Sequence, residues 1–149
     1  MKKIVVLFTV ILFACNALSA QSKLSRSPGG DETTIRAALE EQRIAWNTGN
    51  LERFMGTYWQ SDSLMFIGKS GVTYGWQHTL ENYKKGYPDT AAMGKLDFNI
   101  LEVKRLSVFY FFVVGKWYLT RSIGNVGGHF TLLFRKIKNK WVIIADHSS

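Results

Sequence analysis

The spacing of apolar residues predicts two helices at the start of the folded region. Apolar side chains recur every three or four residues from Asp31 until Gly49 stops the run. Asn50 can then cap a short second helix, whose apolar stripe consists of Leu51, Phe54, Met55 and Tyr58. A third helix is predicted to open after Gly75 and to end at Gly86.

The hydrophobic period changes from helical spacing to alternation in the second half of the chain. A short hairpin is predicted at residues 63–67 and 72–74, before the third helix. Four longer strands follow, at about residues 95–105, 108–121, 127–136 and 140–147. This order predicts an α+β domain in which helices pack on an antiparallel meander.

One predicted strand is apolar on both of its faces. Residues 108–114 read VFYFFVV, whereas a strand with one solvated face would alternate apolar and polar side chains. One face would lie against the helices, and the other against a partner subunit or the end of a curled sheet. The pattern therefore favours a homodimer.

The N-terminus has the pattern of an export signal. Lys2 and Lys3 precede an apolar run that ends near Cys15, and small residues up to Ala20 offer a cleavage site. The run is too short to span a bilayer, so no transmembrane segment is expected. We favour cleavage after Ala20, giving a periplasmic or secreted protein, over a lipoprotein anchored through Cys15. Residues 1–20 are then the signal peptide, 21–30 a flexible linker and 31–149 one domain.

Charge and cysteine content narrow the function classes. The formal net charge is +8, but the basic residues are scattered without a long run, and export removes the chain from most nucleic acid, so no nucleic-acid partner is expected. Cys15 is the only cysteine, and the chain has no glycine-rich phosphate loop. We therefore expect no disulfide and no cofactor.

Three stretches of sequence resemble a known family. Residues 45–52 (AWNTGNLE), 128–136 (GHFTLLFRK) and 141–149 (WVIIADHSS) are similar to the SnoaL-like, ketosteroid-isomerase-like branch of the nuclear transport factor 2-like superfamily, which has many exported bacterial members. The resemblance covers about residues 32–149. It implies a cone-shaped, curved antiparallel sheet wrapped around N-terminal helices, an apolar pocket open at one end, and commonly a dimer through the outer face of the sheet.

The resemblance does not imply one activity, because this fold hosts isomerases, dehydratases, hydrolases, binding proteins and protein-association domains. In steroid isomerases of this fold a carboxylate base lies on the first strand. The corresponding place in this chain falls at about Gly68, so that mechanism is not carried over.

His129 and Asp146 are the candidate catalytic pair, and their geometry depends on the last hairpin. A two-residue turn at Lys138 and Asn139 would place Thr131 opposite Asp146, with His129 one diagonal step from that carboxylate. A three-residue turn would instead place His129 on the same face as His147. The pair could serve as a general base or as a structural hydrogen bond. Neither register puts three ligands on one face, so no metal is expected.

Aromatic residues mark the predicted pocket, because Trp and Tyr combine an apolar body with a polar donor. The predicted pocket residues are Trp46, Tyr58, Trp59, Tyr83, Trp117 and His147. The favoured function is binding of a small apolar or amphipathic molecule. An enzyme of the isomerase, dehydratase or hydrolase kind and a protein-association module are the alternatives.

Overall fold

The computed structural model describes residues 28–149 of the chain. The predicted signal peptide and residues 21–27 of the predicted linker lie outside the described residues and stay predictions. The first helix begins at Pro28, so residues 28–30 are helical and not part of a linker. Proline suits the first turn of a helix, where its missing N–H has no intrahelical partner. No helix within residues 28–149 is long and apolar enough to cross a membrane.

Four helices occur among the described residues. They are α1 (Pro28–Asn47), α2 (Leu51–Met55), α3 (Trp76–Gly86) and α4 (Thr90–Met93). The side chain of Asn50 caps α2 by accepting a hydrogen bond from the Arg53 amide at 2.8 Å, as its residue type predicts. The sequence did not predict α4, a single turn capped by Asp89, because so short an element shows no hydrophobic period.

Six strands form one curved, unclosed sheet in the described region. They are β1 (Met65–Gly68), β2 (Gly71–Tyr74), β3 (Lys95–Arg105), β4 (Tyr110–Thr120), β5 (Val126–Ile137) and β6 (Lys140–Ser148). Their order across the sheet is β2-β1-β6-β5-β4-β3, with antiparallel neighbours except for the parallel pair β1 and β6. The predicted α+β fold with its curved sheet beside N-terminal helices is confirmed.

A bulge in the last hairpin changes the predicted register. Lys138 and Asn139 form the expected two-residue turn, both with positive φ, and Ile137 pairs with Lys140. The pairing then slips, because Phe134 faces Ile143 while the preceding Leu133 faces Ala145. The extra residue lies on β6, as in a β-bulge.

The hydrophobic core lies between α1 and the concave face of the sheet. Alternate residues of β4 point inward, including Phe111, Val113 and Leu119, and all three are buried. Ile35 and Leu39 of α1 are also buried against this face. Val108 and Phe109 lie outside β4, in the exposed turn before it, so the doubly apolar stretch is a strand only from Tyr110 onward.

Asn47 connects the end of α1 to the start of the sheet. Its side-chain nitrogen donates to the Leu96 carbonyl at 2.9 Å, and its side-chain oxygen accepts from the Leu96 amide at 2.7 Å. The neighbouring indole N–H of Trp46 donates to the carbonyl of Met93 at 3.1 Å. Trp46 and Asn47, which belong to the AWNTGNLE stretch, therefore have a structural role, because their hydrogen bonds fix the end of α1 beside β3.

Candidate functional site

A cavity of about 830 Å³ lies between the concave face of the sheet and the helices α1, α2 and α3. Its lining includes Lys69 in the β1–β2 turn and Arg121 and Val126 beside the β4–β5 turn, which lie at the same end of the sheet, and we take this end as its mouth. The Arg121 guanidinium donates to the Gly124 carbonyl at 2.7 Å, which ties it to its own turn. The size is typical of pockets that hold small organic molecules.

Aromatic rings form much of the apolar part of the cavity wall. Trp46, Tyr58, Tyr83 and Trp117 all line it, as predicted. The rings of Trp46 and Tyr83 pack edge to face, with 6.0 Å between their centroids, and each also packs edge to face with Phe54. Such contacts stabilise this part of the wall.

Trp59 and His147 do not line the cavity, so their assignment to the pocket is wrong. Trp59 is half-buried, and its backbone N–H donates to the Ile143 carbonyl at 2.9 Å. His147 is exposed on the convex face, where it pairs with Thr131. The bulge on β6 is the physical reason for the second error, since without it the inward position after Ile143 would be Ala145 and then His147.

Asp146 takes the inward position on β6 and reaches the cavity wall. The carboxyl group is only 4% exposed and accepts two hydrogen bonds. The Tyr58 hydroxyl donates to its Oδ2 at 2.7 Å, and the Ser148 hydroxyl donates to its Oδ1 at 2.8 Å. Burial raises the pKa of Asp146 to about 6, although both hydrogen bonds oppose the shift.

Two tyrosines complete this polar end of the cavity. Burial, followed by the negative charge of Asp146, raises the pKa of Tyr58 well above its ordinary range. The same two causes raise the pKa of Tyr83, whose phenol lies beside that of Tyr58. Both phenols therefore stay protonated, and the Asp146 carboxyl changes its charge near neutral pH.

The structure does not bring His129 and Asp146 together. Asp146 pairs with Leu132 rather than with Thr131, so its side chain points into the cavity while that of His129 is exposed on the convex face. The predicted His129 and Asp146 pair is therefore wrong in its geometry. The turn has two residues, as in the first alternative. Beyond the β6 bulge, however, the strands pair as in the second alternative, and His129 and His147 lie on the same face of the sheet.

Sequence reasoning predicted Trp117 in the cavity wall but missed Gln42, and both carry a buried donor group. The amide nitrogen of Gln42 and the indole nitrogen of Trp117 are buried without a hydrogen-bond partner among residues 28–149. Gln42 belongs to the buried stripe of α1, and a glutamine within an apolar stripe is the signal that could have marked it. A buried donor without a hydrogen-bond partner lowers the stability of the folded protein. Such unfavourable groups are typical of functional sites.

Within residues 28–149, no group of three or more His, Cys, Asp or Glu side chains converges on a possible metal position. Gly68, which stands near the place of the steroid-isomerase base, lines the cavity and contributes no carboxylate. A β-carbon there would lie 3.0 Å from the Phe66 ring. Asp146 is therefore the acidic side chain that the cavity wall presents.

Comparison with known proteins identifies the family. No family model and no curated protein matches the chain. Among solved structures, an NTF-2 like protein of unknown function from Shewanella oneidensis MR-1 is 44% identical, with a TM-score of 0.77 over 80% of this chain and 98% of that chain. A ketosteroid isomerase-like protein from Erwinia carotovora atroseptica is 19% identical, with a TM-score of 0.62 over 78% of this chain and 93% of that chain.

An NTF2-like superfamily protein from Salmonella enterica serovar Typhimurium is 14% identical, with a TM-score of 0.66 over 83% of this chain and 92% of that chain. The similarity to the Erwinia and Salmonella proteins shows only a shared fold. The similarity to the Shewanella protein also shows the family, because 44% of residues are identical and the match covers nearly the whole of that chain. The chain belongs to the nuclear transport factor 2-like superfamily.

Proposed function

We propose that the protein binds a small, largely apolar molecule in the cavity between α1 and the sheet. The observation that carries this proposal is a buried carboxyl group, Asp146, held by Tyr58 and Ser148 at the polar end of an aromatic cavity. Apolar walls with a few fixed polar groups are typical of pockets that bind and orient small ligands. The fold alone would not choose this function.

Charge at the mouth favours a ligand with an acidic or electron-rich group at its outer end. Lys69 is exposed in the β1–β2 turn and makes no ion pair within residues 28–149. Arg121, which follows the last residue of β4, also lines the cavity. A ligand with an apolar body and an anionic group would place its body on the aromatic wall and its charge between these cations.

Filling part of the cavity should weaken ligand binding. Leu119→Trp adds a large side chain at an inward position of β4, so binding of the fluorescent apolar anion 1-anilinonaphthalene-8-sulfonate should weaken roughly tenfold or more as contact area is lost. The matched control is Tyr118→Trp at the next residue, which is 47% exposed and points outward. Fluorescence titration measures both affinities, and melting curves verify that both variants fold.

Probe affinity that is equal in Leu119→Trp and Tyr118→Trp would place the binding site elsewhere and contradict the proposal. Loss of affinity in both variants would contradict it as well, because the outward residue has no contact with the cavity.

A proton-transfer enzyme is the second candidate function, and the pKa of Asp146 near 6 favours it. A general base works best when its pKa lies close to the operating pH, and Tyr58 and Tyr83 could stabilise an oxygen that gains negative charge. The reaction rate would then rise as the pH passes through about 6, and Asp146→Asn would abolish turnover without abolishing ligand binding.

A homodimer through the convex face of the sheet is also part of the proposal. Phe112 lies on this face, pairs with Leu133 of β5 and is only half-covered in the monomer. A second subunit would cover these apolar side chains.

Phe112→Lys should therefore convert the dimer to monomers, because it would bury a charge in the interface. Light scattering coupled to size-exclusion chromatography measures the mass. Val72→Lys is the control, since Val72 is 51% exposed on the edge strand β2, away from the centre of the convex face. A wild-type monomer, or a Phe112→Lys dimer, would contradict the dimer.

A further inference from the structure

One end of the sheet combines exposed apolar side chains with a cluster of basic residues. The β3–β4 turn and the β5–β6 turn lie side by side there, because the Lys136 amide donates to the Phe109 carbonyl at 2.9 Å. We define residues 104–109 and 135–140 as the basic tip. It lies at the opposite end of β4 and β5 from the mouth of the cavity.

The apolar side chains of the basic tip are exposed on a hydrogen-bonded β3–β4 turn. Leu106, Val108 and Phe109 are 54%, 62% and 57% exposed. The amides of Leu106 and Ser107 both donate to the Tyr110 carbonyl, at 3.0 Å and 3.2 Å. The three exposed apolar side chains on this hydrogen-bonded turn form an apolar patch, which is typical of an interaction surface.

The net positive charge of the described chain is concentrated at this tip. Six Lys and Arg residues lie within it, whereas the rest of residues 28–149 carries nine basic and eleven acidic residues, of which Asp31 is buried against the tip. The tip cations that are exposed and form no ion pair within residues 28–149 are Lys104, Arg135, Lys138 and Lys140. The tip is therefore a local patch of positive charge.

The chain enters the fold at the same place. Asp31 in the first turn of α1 accepts hydrogen bonds from Arg105 at 2.6 Å and from Lys136 at 3.0 Å. The sequence just before α1, residues 21–27, adds Lys23 and Arg26 and contains no acidic residue. Residues 21–27, which precede the described residues, therefore add two positive charges.

We propose that the basic tip docks on the surface of an anionic phospholipid bilayer. Leu106, Val108 and Phe109 would enter the boundary between headgroups and acyl chains, and the surrounding cations would contact lipid phosphates. An anionic bilayer matches both features of the tip, because its headgroups carry negative charge and its acyl chains form an apolar layer beneath them. A second copy of the tip would oppose like charges, and a nucleic acid would leave the three apolar side chains in water.

This orientation has a consequence for the cavity. The mouth, with Lys69 and Arg121, lies at the far end of the sheet and would face away from the membrane. Membrane docking and ligand binding therefore use separate surfaces, and each can fail in an experiment without the other.

Vesicle co-sedimentation tests the proposal with the chain from Gln21 onward, which contains every described residue. Binding to vesicles of phosphatidylglycerol mixed with phosphatidylcholine should be strong, should weaken as salt is added, and should vanish on pure phosphatidylcholine. The variant Lys138→Asn with Lys140→Gln should bind about 30-fold more weakly, at about fivefold for each lost cation. Asparagine is suited to the positive φ at position 138, so the turn is kept.

The apolar contribution is tested separately. Val108→Ser with Phe109→Ser removes apolar area without adding charge and should weaken vesicle binding roughly tenfold or more. The control is Ile123→Ser, because Ile123 is 63% exposed in the β4–β5 turn at the other end of the sheet. Equal binding by the tip variants and the wild type would overturn the proposal. An equal loss in Ile123→Ser, or equal binding to both vesicle types, would overturn it too.

Discussion

Asp146→Asn is expected to stabilise the protein at pH 8 by about 2 to 3 kcal/mol and to give no gain at pH 4. The pKa of Asp146 is raised to about 6 in the folded protein from an ordinary 3.8. Between these two values the folded carboxyl still holds a proton that the unfolded chain has released. The free energy of unfolding therefore falls as the pH rises from about 3.8 to about 6.

Above pH 6 the wild type has to bury a charged Asp146 carboxylate, which asparagine does not. Tyr58 and Ser148 can both keep a hydrogen bond to the asparagine amide, because a hydroxyl donates or accepts. Urea unfolding of both proteins at pH 4 and pH 8 measures the effect. Asp62→Asn is the control, since Asp62 is exposed and makes no ion pair within residues 28–149.

A stability difference that is the same at both pH values would mean that Asp146 keeps an ordinary pKa in the folded state. That result would remove the main support for a proton-transfer enzyme, whereas the cavity as a binding site would remain. Ligand binding and the protonation of Asp146 are thus tested by different measurements.

The sequence predicts a helix or strand of this fold well where its hydrophobic pattern repeats over many residues. The strand expected at residues 95–105 coincides with β3 (Lys95–Arg105), because alternation over many residues defines both ends. The strand expected from Val108 begins instead at Tyr110, since an apolar turn and an apolar strand look alike in sequence. The sequence alone does not show that Val108 and Phe109 are exposed and lie outside the sheet, as they do in the structure.

The aromatic residues of the candidate site and Asp146 were predictable, but the partners of the Asp146 carboxyl group were not. Trp46, Tyr58, Tyr83 and Trp117 come from elements whose inward faces the periodicity shows. The choice between Asp146 and His147 depends on one extra residue within β6. The consecutive apolar residues 142–145 are a sign that alternation fails there, but they do not reveal where the bulge lies.

Asp31 lies at the other end of the molecule and has the opposite effect on stability. Its carboxyl group is buried and accepts hydrogen bonds from the Trp141 indole at 3.1 Å, from Lys136 and from Arg105. Burial alone would raise the pKa of Asp31, but these three hydrogen bonds and the charge of Lys136 outweigh it and lower the pKa to about 2. Its contribution to stability is therefore complete above pH 3.8 and is lost as the pH falls towards 2.

Asp31→Asn is expected to destabilise the protein by about 3 kcal/mol at pH 7, because the Lys136 ammonium, whose side chain is 12% exposed, loses its carboxylate. Urea unfolding measures the loss, with Glu40→Gln as the control, since the Glu40 side chain is 53% exposed and its pair with Arg43 should contribute less than about 1 kcal/mol. Adding Lys136→Met to Asp31→Asn should recover part of the loss, because the unpaired charge is removed with it. A double variant as unstable as the sum of the two single variants would show that the Asp31 carboxylate and the Lys136 ammonium do not stabilise each other, and would contradict this prediction.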